Sequence, residues 1–302
     1  MTEAIRIEYT KTEDGVSIAW TSVGEGSPIV LTSNAFGDAN MHSQGAVPWI
    51  EMFERAGRRV FAYDARGTGS SDRQVTDFGL DARVADLKAV IDKAGADPVA
   101  LIGRFHGGLA AVAYAAHYPE KLTHLVLWDT YVSGADYYNA TSYTRAIGML
   151  TEVATNDWEF FTLTLAHWSV GLRDPERAKL LASAFQGGMA AADYIEAVAA
   201  IKTIDLSALL PKISVPTLVV ADQTTYLSVA GASRTIASTV PGAQFVSVRG
   251  VQAAVDAIIN FTAPRKPDAT TVFLANLIPG LTGDAAKQPA EASAFRAVLF
   301  TD

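Results

Sequence analysis

The strongest constraint on the fold is a rhythm: short apolar runs of strand length alternate with stretches of helical spacing. Pro28–Thr32, Arg58–Tyr63, Pro98–Ile102, Leu122–Leu127, Pro216–Ala221 and Gln244–Val248 are the apolar runs. These read as strands, Pro28–Thr32 as one buried on both faces. Gly45–Ala56, Asp81–Ala94, Leu109–His117, Val229–Ser238 and Gln252–Phe261 lie between or after them with helical spacing. In the second of these, Asp81 is placed to cap the start and Gly95 to stop the end. Strands joined through helices imply an α/β fold, a mostly parallel central sheet flanked by helices. Ahead of it, Ile5–Thr10 and Val16–Ser22 alternate apolar and polar residues around Glu13-Asp14-Gly15, which predicts a hairpin.

The rhythm stops near Ser133. Tyr137–Leu210 is helical in pattern, rich in aromatics and alanine, and holds no good strand. The simplest organisation is a core of residues 1–132 and 211–262 interrupted by an inserted helical cap, 133–210. Residues 263–302 read as a linker and tail, opened by Ala263-Pro264-Arg265-Lys266-Pro267-Asp268.

Composition removes several function classes. The chain has 302 residues and a net charge of −8, with 24 Lys and Arg against 32 Asp and Glu, which argues against a nucleic-acid partner. No apolar run reaches the ~18 residues that span a bilayer, and the first residues lack the order of a signal peptide. A cytoplasmic location follows as the expectation. With no cysteine, disulfides, thiolate nucleophiles and cysteine-held metals are excluded. No metal-ligand spacing appears among the histidines, and Gly67-Thr68-Gly69 lacks the strand–GxGxxG–helix context of a dinucleotide site. Neither metal nor cofactor is expected.

Four segments in order carry a family likeness: Tyr63-Asp64-Ala65-Arg66-Gly67-Thr68-Gly69-Ser70-Ser71-Asp72, Leu101-Ile102-Gly103-Arg104-Phe105-His106-Gly107-Gly108, Tyr118-Pro119-Glu120-Lys121-Leu122 and Val215-Pro216-Thr217-Leu218-Val219-Val220. The chain resembles the α/β-hydrolase superfamily over roughly residues 15–262. The resemblance implies an α/β-hydrolase fold with a serine lifted above the sheet by a G-x-S-x-G elbow, followed in chain order by an acid and a histidine.

This chain departs from that pattern at each place. The elbow is Gly103-Arg104-Phe105-His106-Gly107, so Phe105 stands at the nucleophile position. Its ring has no lone pair to attack a carbonyl and no proton to give up. The acid's expected place holds Thr224 or Thr225, while Asp222 reads either as a displaced acid or as a loop-capping residue. The histidine's expected place holds Gln252. All five histidines (42, 106, 117, 124 and 167) precede that point. Acyl transfer of the ordinary kind therefore has neither attacker nor proton shuttle.

Three functional readings stay open. The first is a catalytically inactive hydrolase-like domain, a pseudoenzyme that senses or binds a small, mostly apolar molecule under a cap able to close over it. Asn34, Phe36, Phe105, His106, Trp128, Tyr131, Trp158, Trp168, Tyr226 and Gln252 are its expected pocket residues. The second is an active hydrolase or lyase with a site rebuilt around His106, His42 and Asp129, although His42 also reads as an exposed loop residue. The third is a structural or oligomerisation domain whose rings fill the interior.

The opening Thr12–Trp20 with Val23-Gly24-Glu25-Gly26, and the closing Arg296-Ala297-Val298-Leu299-Phe300-Thr301-Asp302, resemble hydrolase-like domains found ahead of class III adenylate/guanylate cyclase domains. That resemblance implies a signalling role and a downstream cyclase-type domain or a homodimer as partner. Asp302 matches the metal-binding aspartate of a cyclase's first strand, and Asn276 stands at the same place in an earlier, decayed copy within Thr271–Asp284.

Overall fold

The computed structural model describes residues 6–37, 39, 42, 47, 49–95, 97–225, 227 and 229–263. Strands β1 (Glu8–Lys11) and β2 (Ser17–Val23) form the expected hairpin, with Gly15 in its turn at φ 89°. They continue into β3 (Ser27–Leu31), β4 (Arg58–Tyr63), β5 (Val99–Arg104), β6 (Leu122–Trp128), β7 (Thr217–Asp222) and β8 (Gln244–Val248). The sheet order is β1-β2-β4-β3-β5-β6-β7-β8. The β1–β2 and β2–β4 pairings are antiparallel; every pairing from β4 through β8 is parallel. Burial is deepest in the middle of the sheet, where every residue of β7 and all but the last of β5 are buried, whereas β8 at the sheet edge buries only Val248.

Helices cover the sheet. The described helices outside the cap are α1 (Trp49–Arg55), α2 (Leu80–Ala94), α3 (Gly107–His117), and, after the cap, α9 (Ala230–Thr239) and α10 (Val251–Phe261). Helix α3 is almost wholly buried, packing on β5 and β6, while α1 packs on α10. Helix α2 starts one residue earlier than its sequence suggests. Gly79 holds the cap position without a side-chain cap, because Asp77 accepts the Gly79 N–H (2.8 Å) and Arg83 Nε donates to the Phe78 carbonyl (3.0 Å). Asp81 falls in the first turn, where its charge faces the positive end of the helix dipole. Gly95 ends the helix in the left-handed region, at φ 59°.

The loop after β4 is a structural junction. Arg66 is buried and donates through Nε to Asp86 (2.9 Å) and through its terminal nitrogens to Asp14 (2.7 and 3.2 Å). The guanidinium lowers the Asp14 carboxyl to about 2. Gly69 lies so close to the Asp64 carboxylate that a Cβ there has no room, and Ser70 N–H donates to that carboxylate at 2.9 Å.

The interruption is helical throughout: α4 (Gly134–Ala140), α5 (Ser142–Ala154), α6 (Trp158–Ser169), α7 (Pro175–Gly188) and α8 (Ala191–Lys202). Their starts are written in the sequence. Asp157 accepts from Phe160 N–H (2.9 Å), Asp174 from Arg177 N–H (3.0 Å), and Thr141 with Thr144 closes a capping box. The two ends of the insertion meet through a Ser133–Asp205 bridge, with Gly134 N–H bonded to Ile204 (2.9 Å) and Leu206 N–H to Val132 (2.8 Å). The cap is also stapled to the core further out. Phe36 stacks on Phe185 at 4.2 Å and Tyr194 at 5.4 Å, and Gly69 N–H donates to Gly188 at 2.7 Å. Those ties hold the cap against the core in this structure. Among the described residues, no helix is long and apolar enough to cross a membrane. The linker after Ala263, the Thr271–Asp284 stretch with Asn276, and Asp302 lie outside the described residues.

Candidate functional site

At the carboxyl end of β5 the chain turns sharply into α3, and the backbone of the turn is strained. Phe105 has φ 45°, the left-handed region, which costs a residue with a Cβ about 1–2 kcal/mol. Its neighbours make the turn possible. A Cβ on Gly103 would sit 2.6 Å from Ala111 Cβ and 2.8 Å from Gly108 Cα, and a Cβ on Gly107 would run into Thr32 and Ser33. A Cβ on Gly108 would overlap Thr130, whose Oγ1 donates to the Phe105 carbonyl at 2.8 Å. The elbow is intact in every respect except the side chain it presents.

That side chain is a half-buried ring at the floor of a cavity of about 290 Å3. This is near the ~300 Å3 lower bound of ordinary ligand pockets, which speaks against an interior filled by its own rings. Asn34 and Phe36 from the loop after β3, and Arg104, Phe105 and His106 from the elbow, form one side. Tyr137 and Tyr138 of α4, with Arg177, Leu181 and Phe185 of α7, form the cap side.

Four expected pocket residues lie elsewhere. Trp128 is wholly buried behind the elbow, edge-on to Trp49 at 5.8 Å, because it ends a strand buried to its last residue. Tyr131 is buried and stacks on Tyr137 at 4.0 Å, reaching the site only through its hydroxyl. Trp158 packs on Phe161 (5.5 Å) and Tyr194 (5.7 Å) inside the cap, and Trp168 packs edge-on to Tyr143 at 5.8 Å. Gln252 is a correction of a different kind. Helix α10 begins at Val251, so Val251 lines the cavity while Gln252 turns to solvent and donates to Asp256 at 2.9 Å. Tyr226 lies outside the described residues.

The polar groups of the rebuilt-site reading are not assembled. His106 is bonded through Nδ1 to the Tyr131 hydroxyl and is ringed by Tyr137 and Tyr138. Burial, reinforced by the Arg83 charge, lowers its imidazole to about 3, so it is a neutral and very weak base near pH 7. His42 is buried rather than exposed, and its acidic neighbours are Glu51 and Glu54 of α1, not the cavity. Burial lowers its imidazole too.

Asp129, with φ 51°, is buried beside β7; its Oδ1 accepts the Asp222 N–H at 2.8 Å. Asp222 is a loop cap: its Oδ1 accepts from Thr224 N–H (2.9 Å), Thr224 Oγ1 (2.8 Å) and Gly250 N–H (2.8 Å). The serine and threonine hydroxyls of the lining are used locally, while the buried Tyr138 hydroxyl has no hydrogen-bond partner among the described residues. Ser169 donates to Leu165, Thr224 to Asp222, and Thr225 accepts from Leu227. Among the described residues, no cluster of three His, Asp or Glu could hold a metal ion.

Three arginines of the lining were not anticipated. Arg104 was visible as the residue before the elbow position. Its guanidinium lies 4.6 Å from the Phe105 ring centre, 4.5 Å from Trp128 and 5.7 Å from Trp49. Arg173 and Arg177 belong to a spacing of four that continues through Leu181 and Phe185, all four lining the cavity. A helical stripe read for charged as well as apolar residues finds Arg177, whereas Arg173 lies in the turn before α7.

Known proteins carry the same frame. A family model described as the alpha/beta hydrolase fold matches residues 28–252. The chain belongs to the alpha/beta hydrolase fold family. Among curated relatives of this hydrolase-fold chain, a 2-hydroxy-6-oxononadienedioate/2-hydroxy-6-oxononatrienedioate hydrolase of Klebsiella pneumoniae is 33% identical over 138 residues, covering 42% of this chain and 45% of the relative. A 2-heptyl-3-hydroxy-4(1H)-quinolone dioxygenase of Mycobacteroides abscessus is 33% identical over 107 residues, covering 35% and 38%. The matches thus span less than half the length of these relatives.

Among solved structures, an esterase of Exiguobacterium antarcticum superposes with TM-score 0.71 at 19% identity, covering 89% of this chain and 98% of the esterase. A bromoperoxidase of Bacillus anthracis does so with TM-score 0.70 at 19% identity, covering 85% and 98%. An esterase, a dioxygenase and a bromoperoxidase on one frame leave the chemistry of a hydrolase-fold chain to its own site residues. The narrower likeness to cyclase-linked domains finds no support among these proteins.

Proposed function

We propose that this hydrolase-fold chain binds a small, mostly apolar molecule in the cavity above Phe105 and does not perform serine-type acyl transfer. The observation that carries the reading is the elbow itself. A strained turn that would aim a nucleophile aims a phenyl ring, and the lining offers no hydroxyl paired with a competent base. The cavity, walled by aromatic and aliphatic side chains with a few convergent polar groups, suits such a ligand. A downstream cyclase-type domain or a second copy of the chain is the partner this reading would serve in signalling. That part rests on the opening and the tail of the sequence alone.

The names of the curated relatives favour a second reading, a hydrolase with a non-standard site, for which His106 is the cavity's available base. One pair of measurements separates the two. Titration with naphthalene, read by tryptophan fluorescence, is expected to saturate, while short p-nitrophenyl esters turn over no faster than in buffer. Ester turnover abolished by His106→Gln would replace the binding reading with the hydrolase one.

A further inference from the structure

The cavity is charged against the sign of the molecule around it. The chain as a whole has an acidic excess, yet the lining holds three arginines, Arg104, Arg173 and Arg177, against Asp174 and Asp222. Both acids have local tasks. Asp222 Oδ1 takes three donors from its own loops, and Asp174 Oδ1 caps α7.

Stacking on Phe105, Trp128 and Trp49 holds the Arg104 guanidinium in one orientation at the foot of the cavity, with its hydrogen-bonding directions in its own plane. On the cap side, Arg177 has a buried Nε with no hydrogen-bond partner among the described residues. Neither Arg173 nor Arg177 pairs with a carboxylate there. A buried donor left unsatisfied calls for a partner that the protein does not itself supply.

We infer that the cavity takes an anionic ligand: a small aromatic or aliphatic body bearing a planar carboxylate, held by Arg104 from the elbow and Arg177 from α7. This deepens the binding reading above and rests on it. The apolar walls receive the body of the ligand. The guanidinium fork matches two carboxylate oxygens, and a charge-assisted pair is roughly twice as strong as a neutral one.

The test compares 1-naphthoate with naphthalene-1-carboxamide, which share shape and differ in charge, by tryptophan fluorescence at low salt and neutral pH. Naphthoate is expected to bind about tenfold more tightly, a difference of about 1.4 kcal/mol. That preference should shrink severalfold in Arg104→Gln and in Arg177→Gln, with an unchanged far-UV circular dichroism spectrum and a cooperative urea transition as proof of folding. If Arg104→Gln fails to fold, Arg104→Lys keeps the charge without the planar fork and is expected to lose most of the preference. Raising salt should weaken naphthoate binding and leave the carboxamide alone. Equal binding of the two probes overturns this inference and leaves the binding reading standing. Binding of neither overturns both, and a preference unchanged in all the variants overturns the assignment to these arginines.

Discussion

Acidification should destabilise this protein through His106, and by a predictable amount. The folded imidazole is lowered to about 3 by burial and by Arg83, while an unfolded chain protonates histidine near the reference value of 6.5. The folded form is therefore fully favoured above pH 6.5 and loses stability as pH falls from there toward 3, because the unfolded state takes the proton first. Each pH unit in that window is worth about 1.36 kcal/mol. Between pH 6.5 and 5 the loss reaches at most about 2 kcal/mol, an upper bound because the ring borders a cavity that admits water. For a domain of this size that is a fall in Tm of roughly 4–8 °C.

Other groups titrate over the same range, including His42, so the informative quantity is a difference. Thermal unfolding of the wild type and of His106→Gln, whose amide can still meet the Tyr131 hydroxyl, should be followed from pH 7.5 to 5. The wild type should lose more than the variant, by up to about 8 °C. Parallel curves would refute the claim that this imidazole is held neutral by its surroundings.

Three further outcomes follow from the geometry. Phe105→Ser should leave p-nitrophenyl ester hydrolysis at background, since a hydroxyl at the elbow still has no base; turnover above that of the wild type would contradict the missing-shuttle argument. Gly108→Ala should cost about 1–3 kcal/mol by overpacking against Thr130, and a double-mutant cycle with Thr130→Ala should return a coupling above about 0.5 kcal/mol in urea unfolding. Asp222→Ala strands the Thr224 and Gly250 N–H groups, so the urea midpoint should fall by the equivalent of about 2–4 kcal/mol at unchanged slope.

The layout of the sheet was legible because period and length decide it. Arg58–Tyr63 and Gln244–Val248 are strands to the residue, and the other strands differ from their apolar runs by a residue or two at the ends. The elbow was legible because glycines at fixed offsets answer a steric demand that nothing else meets. The cavity was only half legible. Asn34, Phe36, Phe105 and His106 follow from their places in loops at the carboxyl end of the sheet. Trp128 and Tyr131 are close in sequence to that end but point into the core, and a position in the chain does not carry that direction. Gln252 fails because helix phase sets orientation: one residue's shift, about 100°, separates Val251 in the cavity from Gln252 in water. Arg173 and Arg177 carry no apolar signal, so the amphipathic pattern of the cap does not mark them as lining.

The turn between α6 and α7 is where the cavity lining meets solvent. Arg173 and Asp174 are at once solvent-exposed and part of the lining. Gly171 and Leu172 just before them adopt positive φ, 65° and 60°, and Gly171 abuts the Thr224 carbonyl. With the far side of the cap held against Phe36 and Gly69, the expected route of entry is this short corner. Cross-linking α7 to the Phe36 loop should leave ligand exchange rates alone, whereas stiffening or blocking a few residues at the corner should slow them.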